Sequence, residues 1–201
     1  MIRAVIWDLG GVLLRTEDYT SRDKLAEDMG KTRGDIEFLM YGSDSSNRAQ
    51  SGEISLEQHF SNVRQSLGLT ETEMENFLES FWDGDRLDYD LVDYIRSIKN
   101  GYKTGLLSNA FENLRQLITQ EWKFDDAFDH MVVSAEVGTM KPDPRIYQLA
   151  LDGLGVEAHE AIFVDDFIRN VEGASAVGLQ AIHFRSPQQA RADLDRILGE
   201  S

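Results

Sequence analysis

The chain has 201 residues, no cysteine, and 36 Asp and Glu against 20 Lys and Arg, for a formal net charge of −16. The missing cysteines exclude disulfides, thiolate zinc sites and a cysteine nucleophile, and fit a reducing, cytoplasmic setting. The acidic balance argues against a nucleic-acid partner, which calls for a basic face, and no run approaches the roughly 18 apolar residues of a membrane span.

The same charge repels anions at long range, so an anionic substrate needs a local cation at its site. A chain of this length buries about 70% of its unfolded surface, enough for one domain carrying a smaller insert.

Five short apolar runs read as strands: Arg3–Asp8, Tyr102–Ser108, His130–Ser134, Ala161–Asp165 and Gln180–Phe184. Most are apolar on successive residues, as strands buried on both faces are. Amphipathic stretches follow the last four: Phe111–Glu121, Asp143–Gly153, Arg169–Val177 and a closing helix at Pro187–Leu198. Strands alternating with helices predict an α/β fold with a parallel sheet covered on both faces.

A long gap separates the first strand from the second. It holds helical patterns at about Thr20–Met29, Arg33–Met40, Ser55–Leu67 and Thr70–Phe81, and then one at Tyr89–Lys99 that returns to the main sheet. Ser55 with Gln58 and Thr70 with Glu73 form capping-box patterns, and Gly68 stands where a helix C-cap belongs. Residues 42–52, rich in Ser, Gly and Asn, read as a loop. The division is therefore a core of residues 1–15 and 87–201 with a helical insert over 16–86, set above the carboxyl ends of the strands, where open α/β sheets bind ligands.

Chemistry-bearing residues recur at those ends. The first strand ends in Asp8, the second in Ser108 and Asn109, and the fourth in Asp165 and Asp166; Lys141 follows the third. These groups suit phosphoryl transfer. Asp8 with the Asp165–Asp166 pair offers hard oxygen ligands for Mg²⁺, and a cation among the carboxylates keeps Asp8 ionised as a nucleophile. Lys141, Ser108 and Asn109 then spread the charge on the phosphoryl oxygens.

In order and spacing, Asp8-Leu9-Gly10-Gly11-Val12-Leu13, Leu107-Ser108-Asn109, Lys141-Pro142-Asp143-Pro144 and Phe163-Val164-Asp165-Asp166 resemble the four motifs of haloacid dehalogenase-like (HAD) hydrolases, over nearly the whole chain. The resemblance implies a Rossmann-like sheet of order 5-4-1-2-3 with an inserted helical cap. It implies Asp8 as nucleophile, with Ser108 and Lys141 stabilising phosphate. Asn109 and Gly11 join them at the substrate. Asp8, the Gly10 carbonyl, Asp165 and Asp166 surround Mg²⁺. The expected substrate is a small phosphorylated metabolite, handled by a monomer or homodimer.

One position departs from the pattern. Most phosphatases of the family carry a second Asp two residues after the nucleophile, as general acid to the leaving group; here Gly10 stands there. General acids typically contribute about 10²–10⁴-fold. Three answers stay open: a cap residue or water supplies the proton, the leaving group is a good one, or the protein binds without turnover. The Gly-Gly form resembles a bacterial branch that includes sugar-phosphate phosphatases such as glucose-1-phosphate phosphatase. The family's 2-haloacid dehalogenases also lack the second Asp and use no metal, but their fourth motif does not present paired carboxylates, so Asp165–Asp166 favours the phosphatase.

Plainer readings stand beside these. Asp166 can cap the following helix, and Ser108 and Asn109 can start one. The four histidines are scattered without paired spacing and read as structural or surface groups. Phe77, Phe81 and Trp82 follow helical spacing and read as cap core. Tyr41 and Arg48 flank the polar loop of the cap, and Glu71–Glu79 reads as a solvent face.

Overall fold

The computed structural model describes residues 1–199; residues 200 and 201, the end of the expected core segment, lie outside the described residues. Five parallel strands form the main sheet: β1 (Ala4–Trp7), β4 (Lys103–Ser108), β5 (His130–Val133), β6 (Ala161–Asp165) and β7 (Gln180–His183), in the order β5-β4-β1-β6-β7. Numbered among themselves in chain order, the five run 3-2-1-4-5, the expected arrangement read from its other edge.

The apolar runs are continuous because both faces are covered. Val5 and Trp7 pack into one core with Leu91, Ile95, Ile118 and Leu194, while Ala4 and Ile6 pack into a second with Ile146, Tyr147, Leu151 and Phe163. Alternation along β1 thus sends successive side chains to opposite layers. The first layer holds α6 (Tyr89–Ile98) and α11 (Pro187–Gly199); the second holds α9 (Pro144–Leu154) and α10 (Ile168–Val177).

Two short strands between the elements read from the sequence were not anticipated. β2 (Leu14–Thr16) pairs antiparallel with β3 (Asp85–Leu87), in the register Leu14 to Leu87 and Thr16 to Asp85. The expected boundaries at 15/16 and 86/87 both fall inside this ribbon, so the chain leaves and re-enters the sheet layer through one two-stranded element. Three residues per strand give too little period-2 signal to be seen.

Between the ribbon strands lie α1 (Thr20–Asp28), α2 (Arg33–Glu37), α3 (Asp44–Gln50), α4 (Leu56–Leu67) and α5 (Glu71–Trp82). They have a core of their own, with Ala26, Ile36, Met40, Val63, Met74, Phe77 and Phe81 buried and Trp82 packed against them. Both capping boxes form, and Gly68 ends α4 at φ 69°. Arg22, 4% exposed, ties the layer together: it pairs with Glu37 and Asp85 at 3.0 Å and donates to the Phe81 carbonyl.

The 42–52 stretch is not a loop. Ser43 caps α3 by accepting from Ser46 N, and two of the polar residues are turned inward: Ser46 Oγ donates to the Met40 carbonyl and Gln50 Nε2 to that of Tyr41. Those carbonyls belong to a π turn over Phe38–Gly42, so buried Ser and Gln satisfy backbone groups that an apolar helix would leave unmet. Tyr41 packs its ring on Phe81 and Trp82, and Arg48 pairs with Glu53.

The expected helix at Phe111–Glu121 is shorter as an α-helix, α7 (Leu114–Gln116), and continues as a π turn over Leu117–Trp122. Phe111 is released from it and packs on His59 of α4 at a ring distance of 5.4 Å. A second approach joins the layers where a Cβ on Gly52 would overlap the Ala135 carbonyl of α8 (Ser134–Val137). No helix among the described residues is long and apolar enough to cross a membrane.

Candidate active site

Every residue singled out from the sequence for the phosphoryl chemistry lies at the carboxyl edge of the sheet or in the loops that leave it. Asp8 directly follows β1, with its N–H on the Val164 carbonyl of β6 at 2.9 Å, which sets it beside Asp165. Ser108 ends β4 and Asp165 ends β6. Lys141 lies after β5 and α8 in a loop whose Lys141–Pro142 peptide is cis, and its ammonium reaches back to Asp8 Oδ1 at 2.8 Å and Asp165 Oδ2 at 2.7 Å.

Oxygens of Asp8, Asp165 and Asp166 lie within 4.8 Å of one another. Burial pushes the Asp8 carboxyl well above the usual carboxylate range; Lys141 opposes this, while Asp165 and Asp166 add to it. Burial and then Asp165 raise Asp166 in the same sense. Burial works against the Lys141 ammonium, but Asp8 and Asp165 outweigh it and hold its pKa above the ordinary lysine value. Three carboxylates against one ammonium leave an excess of two negative charges in the ionised site, and a divalent cation cancels it.

The three acids are not equivalent. Asp165 is fully buried, and both its oxygens are engaged: Oδ1 accepts from Phe167 N and Asn170 Nδ2, and Oδ2 from Lys141 and Asn170. Asp8 Oδ1 accepts from Leu9 N at 2.7 Å as well as from Lys141. The Asp166 side chain is exposed, and its backbone carbonyl accepts from His183 Nε2 at 2.9 Å. It does not cap the helix behind it: the N-cap of α10 is Phe167, and that N–H is held by Asp165.

The two glycines after Asp8 differ sharply. Gly11 sits at φ 75°, and a Cβ there would overlap the Asp166 carboxylate, so the bare backbone lets that acid close on the loop. Around Gly10 nothing lies within 4 Å of where a Cβ would stand. The Asp that Gly10 replaces would therefore fit. Residues 9–14 form a tight turn in which Gly11 N–H donates to the Leu14 carbonyl and Leu14 N–H to that of Leu9.

Ser108 is 3% exposed, and its hydroxyl makes no hydrogen bond among the described residues. Neither it nor Asn109 starts a helix. The Asn109 side chain instead brackets the Lys141 backbone, Oδ1 accepting from its N–H at 2.8 Å and Nδ2 donating to its carbonyl at 3.0 Å. Sequence reasoning missed Asn170, which grips both Asp165 oxygens; its signal was a buried amide in the first turn of an otherwise apolar helix face. A cavity of about 540 Å³ opens beside the cluster, shared by Asn109, Lys141 and Asn170 with Ser51 at the end of α3.

Residues 2–178 match the haloacid dehalogenase-like hydrolase family. The chain belongs to that family. It is 26% identical over 202 residues to the sesquiterpene phosphatase astK of Aspergillus oryzae, covering 98% of this chain and 97% of that one. It is 27% identical over 218 residues to bifunctional epoxide hydrolase 2 of Sus scrofa, of whose length it spans only 39%. It is also 32% identical over 94 residues, 46% of this chain and 41% of the other, to (S)-2-haloacid dehalogenase 4A of Burkholderia cepacia.

Among solved structures, a HAD-like hydrolase from Porphyromonas gingivalis superposes with a TM-score of 0.76 at 25% identity, covering 98% of each chain. A HAD family enzyme from Bacteroides thetaiotaomicron, in complex with magnesium and inorganic phosphate, superposes at 0.75 with 20% identity over 92% of this chain and 95% of that one. This HAD-like hydrolase therefore has the α/β fold of solved HAD-like structures.

Proposed function

We propose that the chain is a Mg²⁺-dependent phosphatase of a small phosphomonoester, acting through an aspartyl-phosphate on Asp8. The observation that carries this is the three-carboxylate cluster facing one ammonium, whose residual charge suits a divalent cation. The cluster offers carboxylates, the hard oxygen ligands Mg²⁺ prefers. Asp8 and Asp166, with the Gly10 carbonyl, would hold the ion. Asp165, its oxygens taken by protein donors, closes the cluster and aims Lys141 at Asp8. When bound, the ion neutralises charge on the acids and polarises the phosphoryl oxygens.

The Asp8 carboxylate attacks phosphorus, and the bond to the ester oxygen breaks as the new oxygen–phosphorus bond forms. Lys141 and the free Ser108 hydroxyl stabilise the phosphoryl oxygens, with Asn109 holding Lys141 in place and Gly11 leaving its backbone bare beside the phosphate. The leaving oxygen takes its proton from water or from the inserted helices, since Gly10 has none to give. Water then attacks the aspartyl-phosphate and releases inorganic phosphate with Asp8 restored. The helices of residues 16–86 act as a cap that excludes bulk water during the first step. The Aspergillus phosphatase, matched nearly end to end, supports phosphoester chemistry, and the Bacteroides complex supports the metal.

A second reading, 2-haloacid dehalogenation, is kept by the Burkholderia relative and by Gly10. The paired acids weigh against it, because a metal-free reaction has no use for them. A panel of phosphomonoesters assayed with Mg²⁺ and with EDTA decides between the two. Phosphate release that needs Mg²⁺ and disappears in Asp8→Asn is the expected result. Halide release from 2-chloropropionate in EDTA, without phosphate release, overturns it.

A further inference from the structure

The cavity beside the acidic cluster carries recognition groups that the proposed phosphoryl chemistry leaves unused. Three of its lining residues are cations: Lys141, Arg145 and Arg169. Lys141 is held between Asp8 and Asp165, and Arg145 is clamped by Asp143, with Nη2 to Oδ2 at 2.8 Å. Arg169 has no carboxylate within ion-pair distance among the described residues, in a chain that carries 36 of them. It stands in the first turn of α10, rooted through Asp165 to the same strand end as the cluster.

Thr139 lines the same cavity. It is 7% exposed, and its hydroxyl is buried without a hydrogen-bond partner. A buried hydroxyl left unpaired costs about 1–3 kcal/mol, so such a group marks a place where an acceptor is expected. Phe167, 55% exposed, adds an apolar ring to the lining. An unpaired guanidinium, an unmet hydroxyl and an uncovered ring therefore border one space, next to the phosphoryl-binding groups and under Ser51 of the inserted helices.

Resting on the phosphatase reading, we infer that the substrate is a phosphomonoester whose organic part ends in a second anionic group, a carboxylate or a further phosphate, bound by Arg169. The planar guanidinium fork matches either group with two parallel hydrogen bonds. Thr139 donates to an oxygen of the same ligand, and Phe167 covers the carbon chain between its two ends. With a net charge of −16 around it, a doubly anionic substrate needs a cation at each end; Lys141 serves the first and Arg169 the second.

The test compares n-alkyl phosphates with ω-carboxyalkyl phosphates and alkanediol bisphosphates of the same chain length, so that the leaving group is held constant. With Mg²⁺ present, the wild type is expected to favour the anionic-ended esters by roughly tenfold or more in kcat/KM, expressed in KM. Arg169→Ala should erase most of that preference and Arg169→Lys should retain part of it. Thr139→Val should lower it less. The ratio of the carboxylate to the bisphosphate arm tells which anion is the natural terminus.

Calorimetry on Asp8→Asn protein with Mg²⁺ reads binding of the same intact esters. Tighter binding of anionic-ended esters that depends on Arg169, without wild-type turnover, overturns hydrolysis and the substrate assignment with it, and upholds only Arg169 as the binding group for the second anion. Turnover with no preference for a charged end, or a preference that survives Arg169→Ala, overturns the inference and leaves the phosphatase reading standing. Neither binding nor turnover overturns both.

Discussion

The side-chain amide of Asn109 holds the backbone of Lys141 at both of its polar groups, accepting from N–H at 2.8 Å and donating to the carbonyl at 3.0 Å. The long Lys141 stem emerges from that clamp to meet Asp8 and Asp165. Asn109→Ala removes both bonds and frees the loop. Left unmet, they cost about 1–3 kcal/mol of stability. A shift of the ammonium by about 1 Å costs up to roughly 10²-fold in kcat. Denaturant titration and steady-state kinetics on a Mg²⁺-activated phosphomonoester measure the two effects. An unchanged kcat would detach the position of Lys141 from catalysis.

Removing the charge of Asp8 separates stability from activity. Burial raises the carboxyl's pKa, so the fold disfavours its ionised form. Asp8→Asn should therefore be at least as stable as the wild type in EDTA, with the Lys141 ammonium still paired to Asp165 at 2.7 Å. Its phosphatase activity should be absent. Wild-type protein should also gain thermal stability with Mg²⁺, about 2.7 kcal/mol at one hundred times the dissociation constant, and Asp166→Asn should lose that gain. A Tm unmoved by Mg²⁺ in the wild type would contradict the metal assignment.

The adjacent glycines 10 and 11 should respond in opposite ways. Gly11→Ala places a Cβ at φ 75° in the space of the Asp166 carboxylate. The backbone strain costs about 1 kcal/mol or more, and the displaced acid should abolish the Mg²⁺-dependent rise in Tm. Gly10→Asp meets no neighbour within 4 Å and should fold normally. If leaving-group protonation limits the wild type, this change should raise kcat on alkyl phosphates more than on aryl phosphates. The comparison is made by plotting log kcat against leaving-group pKa for both proteins. A slope unchanged by Gly10→Asp would mean that another group already supplies the proton.

The five main strands could be read because each is a short, largely apolar run of strand length, and Asp8, Ser108, Asp165 and Asp166 could be read because they interrupt such runs at the same end. Lys141 was legible only through its place after the third strand. The division of labour among the acids was not legible: Asp165 and Asp166 are adjacent and chemically identical, and it is Lys141, Asn170 and the Phe167 N–H, which fill the oxygens of the first, that tell them apart. The polar helix α3 was invisible for a related reason. Ser45, Ser46 and Asn47 are weak helix formers, and the compensation is that Ser46 and Gln50 hydrogen-bond the Met40 and Tyr41 carbonyls, a tertiary gain that composition does not encode. The β2–β3 ribbon is simply too short to leave a pattern.

His59 is a buried titratable group at the seam between the inserted helices and the sheet layer. Its ring is buried, Nδ1 shares a hydrogen bond with Ser45 Oγ at 2.9 Å, Nε2 donates to the Met40 carbonyl at 3.2 Å, and one face stacks on Phe111 three residues after Ser108. The Met40 carbonyl calls for a proton on Nε2, and burial lowers the pKa below the ordinary histidine value, which favours the neutral Nε2–H form. The unfolded chain therefore binds the proton more readily than the fold. The stabilising contribution is complete above the unfolded value of about 6.5 and is lost as pH falls from there toward the lowered folded value. His59→Gln keeps a donor and an acceptor but cannot titrate. Tm measured from pH 7.5 to 5 should fall more steeply for the wild type than for His59→Gln, with the curves diverging below about pH 6.5. Parallel curves would mean that this imidazole does not set the acid stability of the seam.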